Sequence, residues 1–211
     1  MIRAIIFDFG RVISAQKPLS LFRSYEEHLG LAPGMLNRIM FGSLDWQKAL
    51  VGRKTVEEFW YDIGPELGLN SRDEIDAFRR RYQSDEAANG EVLDLIRRLH
   101  GRYKLAVLSN SPPGLTQWLA HWKMLDLFDV VYCSGDEGVI KPDPAAFGIT
   151  LQRLGVEPEE AVFIDDTKEH IEAAKKLGLH GVLFTTADAL EEELDRLLRS
   201  KRAKDKRKQN G

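Results

Sequence analysis

Five short apolar runs constrain this chain more than any other feature: Ala4 to Phe7, Leu105 to Leu108, Val130 to Tyr132, Val162 to Ile164 and Val182 to Phe184. Each is too short for a helix and lacks polar alternation, so each reads as a strand buried on both faces. From the second run onward they alternate with amphipathic stretches at Pro113 to Trp122, Pro144 to Leu154, Thr167 to Leu177 and Ala187 to Leu198. Apolar strand followed by amphipathic helix, repeated, is the pattern of a parallel sheet covered by helices on both sides. The expected class is α/β, with a Rossmann-like parallel sheet as the core. In such sheets ligands bind beyond the carboxyl ends of the strands. Asp8, Ser109 and the adjacent pair Asp165 and Asp166 all stand at those ends.

Between the first and second runs, roughly Ser20 to Tyr82, the period changes to that of helices and no strand-like run occurs. Leu21-Phe22-Tyr25-Leu29, Met35-Leu36-Ile39-Met40 and Val56-Phe59-Trp60-Ile63 are spaced as apolar stripes, and Thr55 with Glu58 forms a capping box. This is a helical insertion, and Glu91 to Leu99 is the helix that returns the chain to the core. The expected organisation is an α/β core over 1–15 and 88–200, the insertion over 16–87 and a basic tail over 201–211. The tail is a charge block with nothing to bury, expected as a frayed, solvated end rather than an RNA- or phosphate-binding appendage.

Bulk properties exclude several function classes. A net charge of -3 with 30% charged residues gives no global field that would attract nucleic acid or a membrane surface. The single cysteine, Cys133, excludes an intramolecular disulfide and a cysteine-built metal site, and fits a reducing compartment. The apolar run before Asp8 is shorter than a signal-peptide core, and no stretch approaches the roughly 20 apolar residues of a membrane span. The expected location is the cytoplasm.

Local motifs therefore carry the function. In chain order they are Phe7-Asp8-Phe9-Gly10, Leu108-Ser109-Asn110, Lys141-Pro142-Asp143-Pro144 and Phe163-Ile164-Asp165-Asp166. Together they resemble the four-motif signature of the haloacid dehalogenase-like hydrolase superfamily, most of whose members are aspartate-nucleophile phosphatases. The resemblance implies that Asp8 is the nucleophile, Ser109 and Asn110 contact the phosphoryl group, and Lys141 offsets its charge. It implies Mg2+ held by Asp8, the carbonyl of Gly10 and Asp166, with Asp165 a direct or water-mediated ligand. It also makes the insertion a helical cap over the catalytic face, of the kind one subclass carries at this point. Independently of resemblance, two adjacent carboxylates at a buried strand end repel each other unless a cation lies nearby, and oxygen donors suit magnesium.

One position departs from the pattern. Typical members carry a second aspartate two residues after the nucleophile, where it protonates the leaving alcohol and activates water; here that position is Gly10. General acid-base catalysis is worth roughly 10²- to 10⁴-fold, so good leaving groups, as in anomeric sugar phosphates or acyl phosphates, are expected to fare best. Two alternatives compete with a phosphatase of small, sugar phosphate-like metabolites. One is a metal-free 2-haloacid dehalogenase, whose branch usually has an aromatic residue in place of Gly10 and no paired acids at 165 and 166. The other is a non-catalytic phosphometabolite-binding protein. Arg11 is expected to contact phosphate or, rather, to pair with a carboxylate of the insertion. Arg23, Trp46, Lys48 and Arg53 are specificity candidates that read first as ordinary surface or insertion-core residues.

Overall fold

The computed structural model describes residues 1–209, with side chains described through residue 199. All five apolar runs are strands: β1 (Ala4–Phe7), β2 (Lys104–Ser109), β3 (Val130–Cys133), β4 (Ala161–Asp165) and β5 (His180–Leu183). They pair in parallel in the order β3-β2-β1-β4-β5. The central β1 is in register with both neighbours, Phe7 opposite Val107 of β2 and Ile164 of β4. β5 starts two residues before its apolar run and ends at Leu183. It lies at the sheet edge beside β4 alone, where His180 and Gly181 are tolerated despite weak strand propensity.

Alternation along each strand divides the core in two. Ile5, Phe7, Leu105, Val107, Val162 and Ile164 face one side, while Ala4, Ile6, Ala106, Leu108 and Phe163 face the other. Both faces are covered, which is why the runs are continuously apolar.

Within the insertion the chain forms five α-helices, α1 (Leu19–Leu29), α2 (Met35–Phe41), α3 (Leu44–Leu50), α4 (Val56–Ile63) and α5 (Arg72–Ser84). They enclose an apolar cluster of their own, including Tyr25, Leu36, Phe59, Trp60, Ile63 and Phe78. α4 begins where expected. The Thr55 hydroxyl accepts from the Glu58 backbone N–H at 3.1 Å, and Glu58 accepts in return from the Thr55 N–H at 2.8 Å. α3 and α5 fall in the periodic segment without an apolar stripe to mark them, and α5 buries only Ile75 and Phe78.

After the insertion come α6 (Gly90–Leu99), α7 (Leu115–His121), α8 (Ser134–Glu137), α9 (Pro144–Leu154), α10 (Lys168–Lys176) and α11 (Ala187–Gln209). α6, α7 and α11 cover the first sheet face through Ile96, Leu119 and Leu190. α9 and α10 cover the second through Phe147 and Ile171. The expectation of a solvated basic tail over 201–211 falls on side chains outside the described residues.

Two features join the insertion to the core. Its entering and leaving segments run side by side, with Ser14 bridged antiparallel to Ala88. Ala15 N–H donates to the Ala87 carbonyl and Asn89 N–H to the Ile13 carbonyl, both at 2.8 Å. Farther out, the Gly52 backbone, at φ +71°, rests on α8 so closely that a Cβ there would overlap the Gly135 carbonyl.

Candidate active site

β1, β2 and β4 end level with one another, so the residues that follow them meet. Asp8 leaves the end of β1, its N–H bonded to the Ile164 carbonyl at 2.8 Å. Ser109 closes β2 and Asp165 closes β4, and both are buried. Lys141 arrives from the loop before α9. Its Nζ lies 2.8 Å from Asp8 Oδ1 and 2.6 Å from Asp165 Oδ2, with the residue 2% exposed. An ammonium so buried persists because two carboxylates share it.

The loop that delivers Lys141 is fixed from both ends. Asn110 accepts from the Lys141 N–H at 2.7 Å and donates to the Lys141 carbonyl at 2.8 Å. The Lys141–Pro142 peptide is cis. Asp143 caps α9 by accepting from the Ala145 N–H at 2.8 Å, and Pro144 fills the first helical position, which needs no N–H. Lys-Pro-Asp-Pro is thus a helix start with a lysine fixed ahead of it. The Asn110 side-chain amide grips the Lys141 peptide, and the residue also lines the space at the strand ends.

The acid pair divides into two environments. Asp165 Oδ1 accepts from the Thr167 N–H at 2.7 Å, and Oδ2 receives both Lys141 and, at 3.0 Å, His170 Nδ1. Burial opposes ionisation of Asp165, but the His170 and Lys141 hydrogen bonds outweigh it and hold the carboxyl below its ordinary range. At Asp8 the balance goes the other way. Burial pushes its carboxyl above the ordinary range, against the pull of Lys141, and the Asp165 charge pushes in the same direction as burial.

Asp166 turns outward. Its Oδ2 meets Arg11 Nε at 2.8 Å, so the expectation that Arg11 pairs with a carboxylate of the insertion is corrected. Arg11 sits in the tight turn Phe9–Ile13 at φ 59° and ψ 7°, left-handed for a residue other than glycine. Its N–H donates to the Ser14 hydroxyl at 3.1 Å. That turn aims the guanidinium back at the strand ends instead of toward the helices. Gly10 is not the strained position. It has φ -65° and ψ 125°, and a Cβ there would meet only Asp8 Oδ2, at 4.0 Å.

Asp8, Asp165 and Asp166 offer ligand atoms that all lie within 4.8 Å of one another. This all-oxygen carboxylate set fits a hard divalent cation. Asp165 is buried and held by Lys141, His170 and the Thr167 N–H, whereas Asp166 is held by Arg11 and, at 3.3 Å, by the Thr167 hydroxyl, and borders the open space at the strand ends. His170 and Thr167 were not anticipated from the sequence. The available signal was a histidine in the first turn of the helix that follows the acid pair.

The strand ends open into a cavity of about 950 Å³ that continues under the insertion. Asp8, Ser109, Lys141 and Asp166 line its floor, and Phe22, Trp46 and Tyr82 line its far wall. Of the specificity candidates, Trp46 reaches this cavity. Lys48 pairs with Asp45 at 3.2 Å, and Arg23 and Arg53 are exposed.

Residues 2–178 match the sequence profile of the haloacid dehalogenase-like hydrolases. The chain belongs to this family. It is 26% identical over 198 residues to the sesquiterpene phosphatase AstK of Aspergillus oryzae, covering 93% of this chain and 96% of that one. It is 27% identical over 182 residues to the fructose-1-phosphate phosphatase YqaB of Escherichia coli, covering 84% and 94% respectively. A Bacteroides thetaiotaomicron member of the family, solved in complex with magnesium and inorganic phosphate, superposes with a TM-score of 0.71 at 22% identity, covering 88% of this chain and 95% of that one. This haloacid dehalogenase-like hydrolase is therefore an enzyme of the family, with its parallel sheet. Among the described residues no helix is long and apolar enough to cross a membrane.

Proposed function

We propose that the protein is a magnesium-dependent phosphatase that cleaves a small phosphorylated compound through an aspartyl phosphate on Asp8. One observation carries this reading. A buried Lys141 ammonium bridges Asp8 and Asp165 beside a three-carboxylate cluster, at the floor of a cavity that can admit a substrate. A metal-free displacement at carbon has no need of paired acids at 165 and 166.

In this reading Asp8 attacks phosphorus, the bond from phosphorus to the leaving oxygen breaks, and water then cleaves the aspartyl phosphate. Lys141 lies against Asp8 and offsets the charge of the incoming phosphoryl group. Ser109, at the end of β2, donates its hydroxyl to a phosphoryl oxygen. Asn110 serves the same group chiefly by holding the Lys141 peptide. Asp8, Asp166 and the Gly10 carbonyl would hold the metal, with Asp165 behind them. Bound magnesium supplies positive charge that offsets the repulsion between carboxylate and phosphate. Residues 16–87 act as the cap over a core of 1–15 and 88–200.

The relatives offer two substrate classes, terpenoid after the Aspergillus enzyme and sugar after the E. coli enzyme. A phosphate-release screen over a metabolite panel, with magnesium and with excess EDTA, tests the reading. Turnover that EDTA abolishes is expected. Halide release from 2-chloropropionate without phosphate release from any ester would overturn it in favour of the dehalogenase.

A further inference from the structure

The cavity floor is polar, but its far wall is built from rings. Phe41, Trp46, Phe59, Trp60, Tyr82 and Phe22 follow one another edge to face or tilted, with successive centroids 5.2 to 6.5 Å apart, and all six line the cavity. Phe59 and Trp60 also belong to the insertion's own core, at 2% and 4% exposure. Phe22, Trp46 and Tyr82 pack against that core while turning part of their surface to the cavity. Phe41 is 39% exposed and Leu19, also on the cavity, 67% exposed, so the fold leaves large apolar surface uncovered here. The core side matches, with Trp118 of α7 lining the same space and packing at 5.7 Å on Trp122, which stacks at 5.5 Å on Phe9.

Polar residues are fewer on this wall than rings, with Lys17, Asn37 and Gln83 among them. Lys17 lies against Glu86 and 4.4 Å from the Tyr82 ring centroid. Against the ring faces themselves sugar hydroxyls would lose water without gaining partners, which is unfavourable, whereas a hydrocarbon would gain burial.

Resting on the phosphatase reading above, we propose that the substrate is a phosphate monoester of a large apolar alcohol, its hydrocarbon or aryl part seated on the aromatic wall and its phosphate on Asp8, Ser109 and Lys141. This is a different substrate class from the sugar phosphate-like one expected from the sequence. The cavity volume, about 950 Å³, fits the range of sites that enclose a whole small ligand and not a phosphate group alone.

Binding and turnover test it separately. Farnesyl phosphate and 1-naphthyl phosphate are titrated against glucose 6-phosphate and glycerol 3-phosphate on the Asp8→Asn variant, following tryptophan fluorescence with calorimetry as a second readout. The apolar esters should bind at least roughly tenfold more tightly, the value of one well-buried apolar side chain's contact. Trp46→Ala should reduce that preference, and Trp46→Phe should restore most of it. Equal or weaker binding of the apolar esters overturns the substrate class. Turnover by the unsubstituted enzyme is measured on the same four esters and on acetyl phosphate. Apolar selectivity in binding with no turnover of any compound retains the apolar site and overturns the phosphatase reading. Turnover of all with no apolar preference overturns the substrate class alone.

Discussion

Asp8, the proposed nucleophile, is held in a state that costs the fold stability. Its carboxyl is buried and pushed above the ordinary range, so ionising it in the fold is harder than in the unfolded chain. That penalty is complete above the folded value and vanishes below the unfolded value of about 3.9. In the metal-free protein Asp8→Asn should therefore abolish turnover while leaving the melting temperature at pH 7 equal to or above that of the parent. The difference should close toward pH 3, as followed by calorimetry; a large loss of stability at pH 7 would contradict it. Two residues on, Gly10 has backbone angles that aspartate adopts readily, and open space beyond its Cα. Gly10→Asp should raise turnover of alkyl phosphates by roughly 10²-fold, the lower bound for general acid catalysis, and change aryl phosphates little. A comparison of initial rates across leaving groups of graded pKa decides it.

At the scale of elements, the turn from β4 into α10 divides labour between adjacent acids. Asp165 receives Lys141, His170 and the Thr167 N–H, whereas Asp166 faces Arg11 and the cavity. Asp166→Ala should raise the magnesium concentration needed for half-maximal activity more than Asp165→Ala does. Asp165→Ala should instead lower the unfolding free energy measured by urea titration, by the roughly 3 to 5 kcal/mol typical when one partner leaves a buried pair. Equal metal responses in the two variants would contradict this division. The strands and the floor of the site were legible because a run such as Val162 to Ile164 states its burial directly and ends on its functional residue. α3 and α5 were not, because a helix such as Arg72–Ser84 fully buries only Ile75 and Phe78 and otherwise carries mostly charged or polar residues. The Arg11–Asp166 pair was illegible for another reason. Its partners are 155 positions apart, and only the left-handed turn at Arg11 brings them together.

For the whole molecule, the proposed chemistry and the proposed selectivity lie on different bodies of packing. The sheet clusters and the cluster inside the insertion name no residue in common, so replacing 16–87 by a short turn should leave a cooperatively folding core. That core should keep hydrolysis of acetyl phosphate and lose discrimination between farnesyl phosphate and glucose 6-phosphate; an unfolded product by circular dichroism would show the two bodies to be interdependent. The antiparallel bridge between Ser14 and Ala88 has a further consequence. Entry and exit of the insertion lie one strand spacing apart, about 5 Å, so to the core the whole helical body is a single doorway. Any module whose ends meet at that spacing can be hung there, and the lock on this enzyme can be exchanged without touching the bolt.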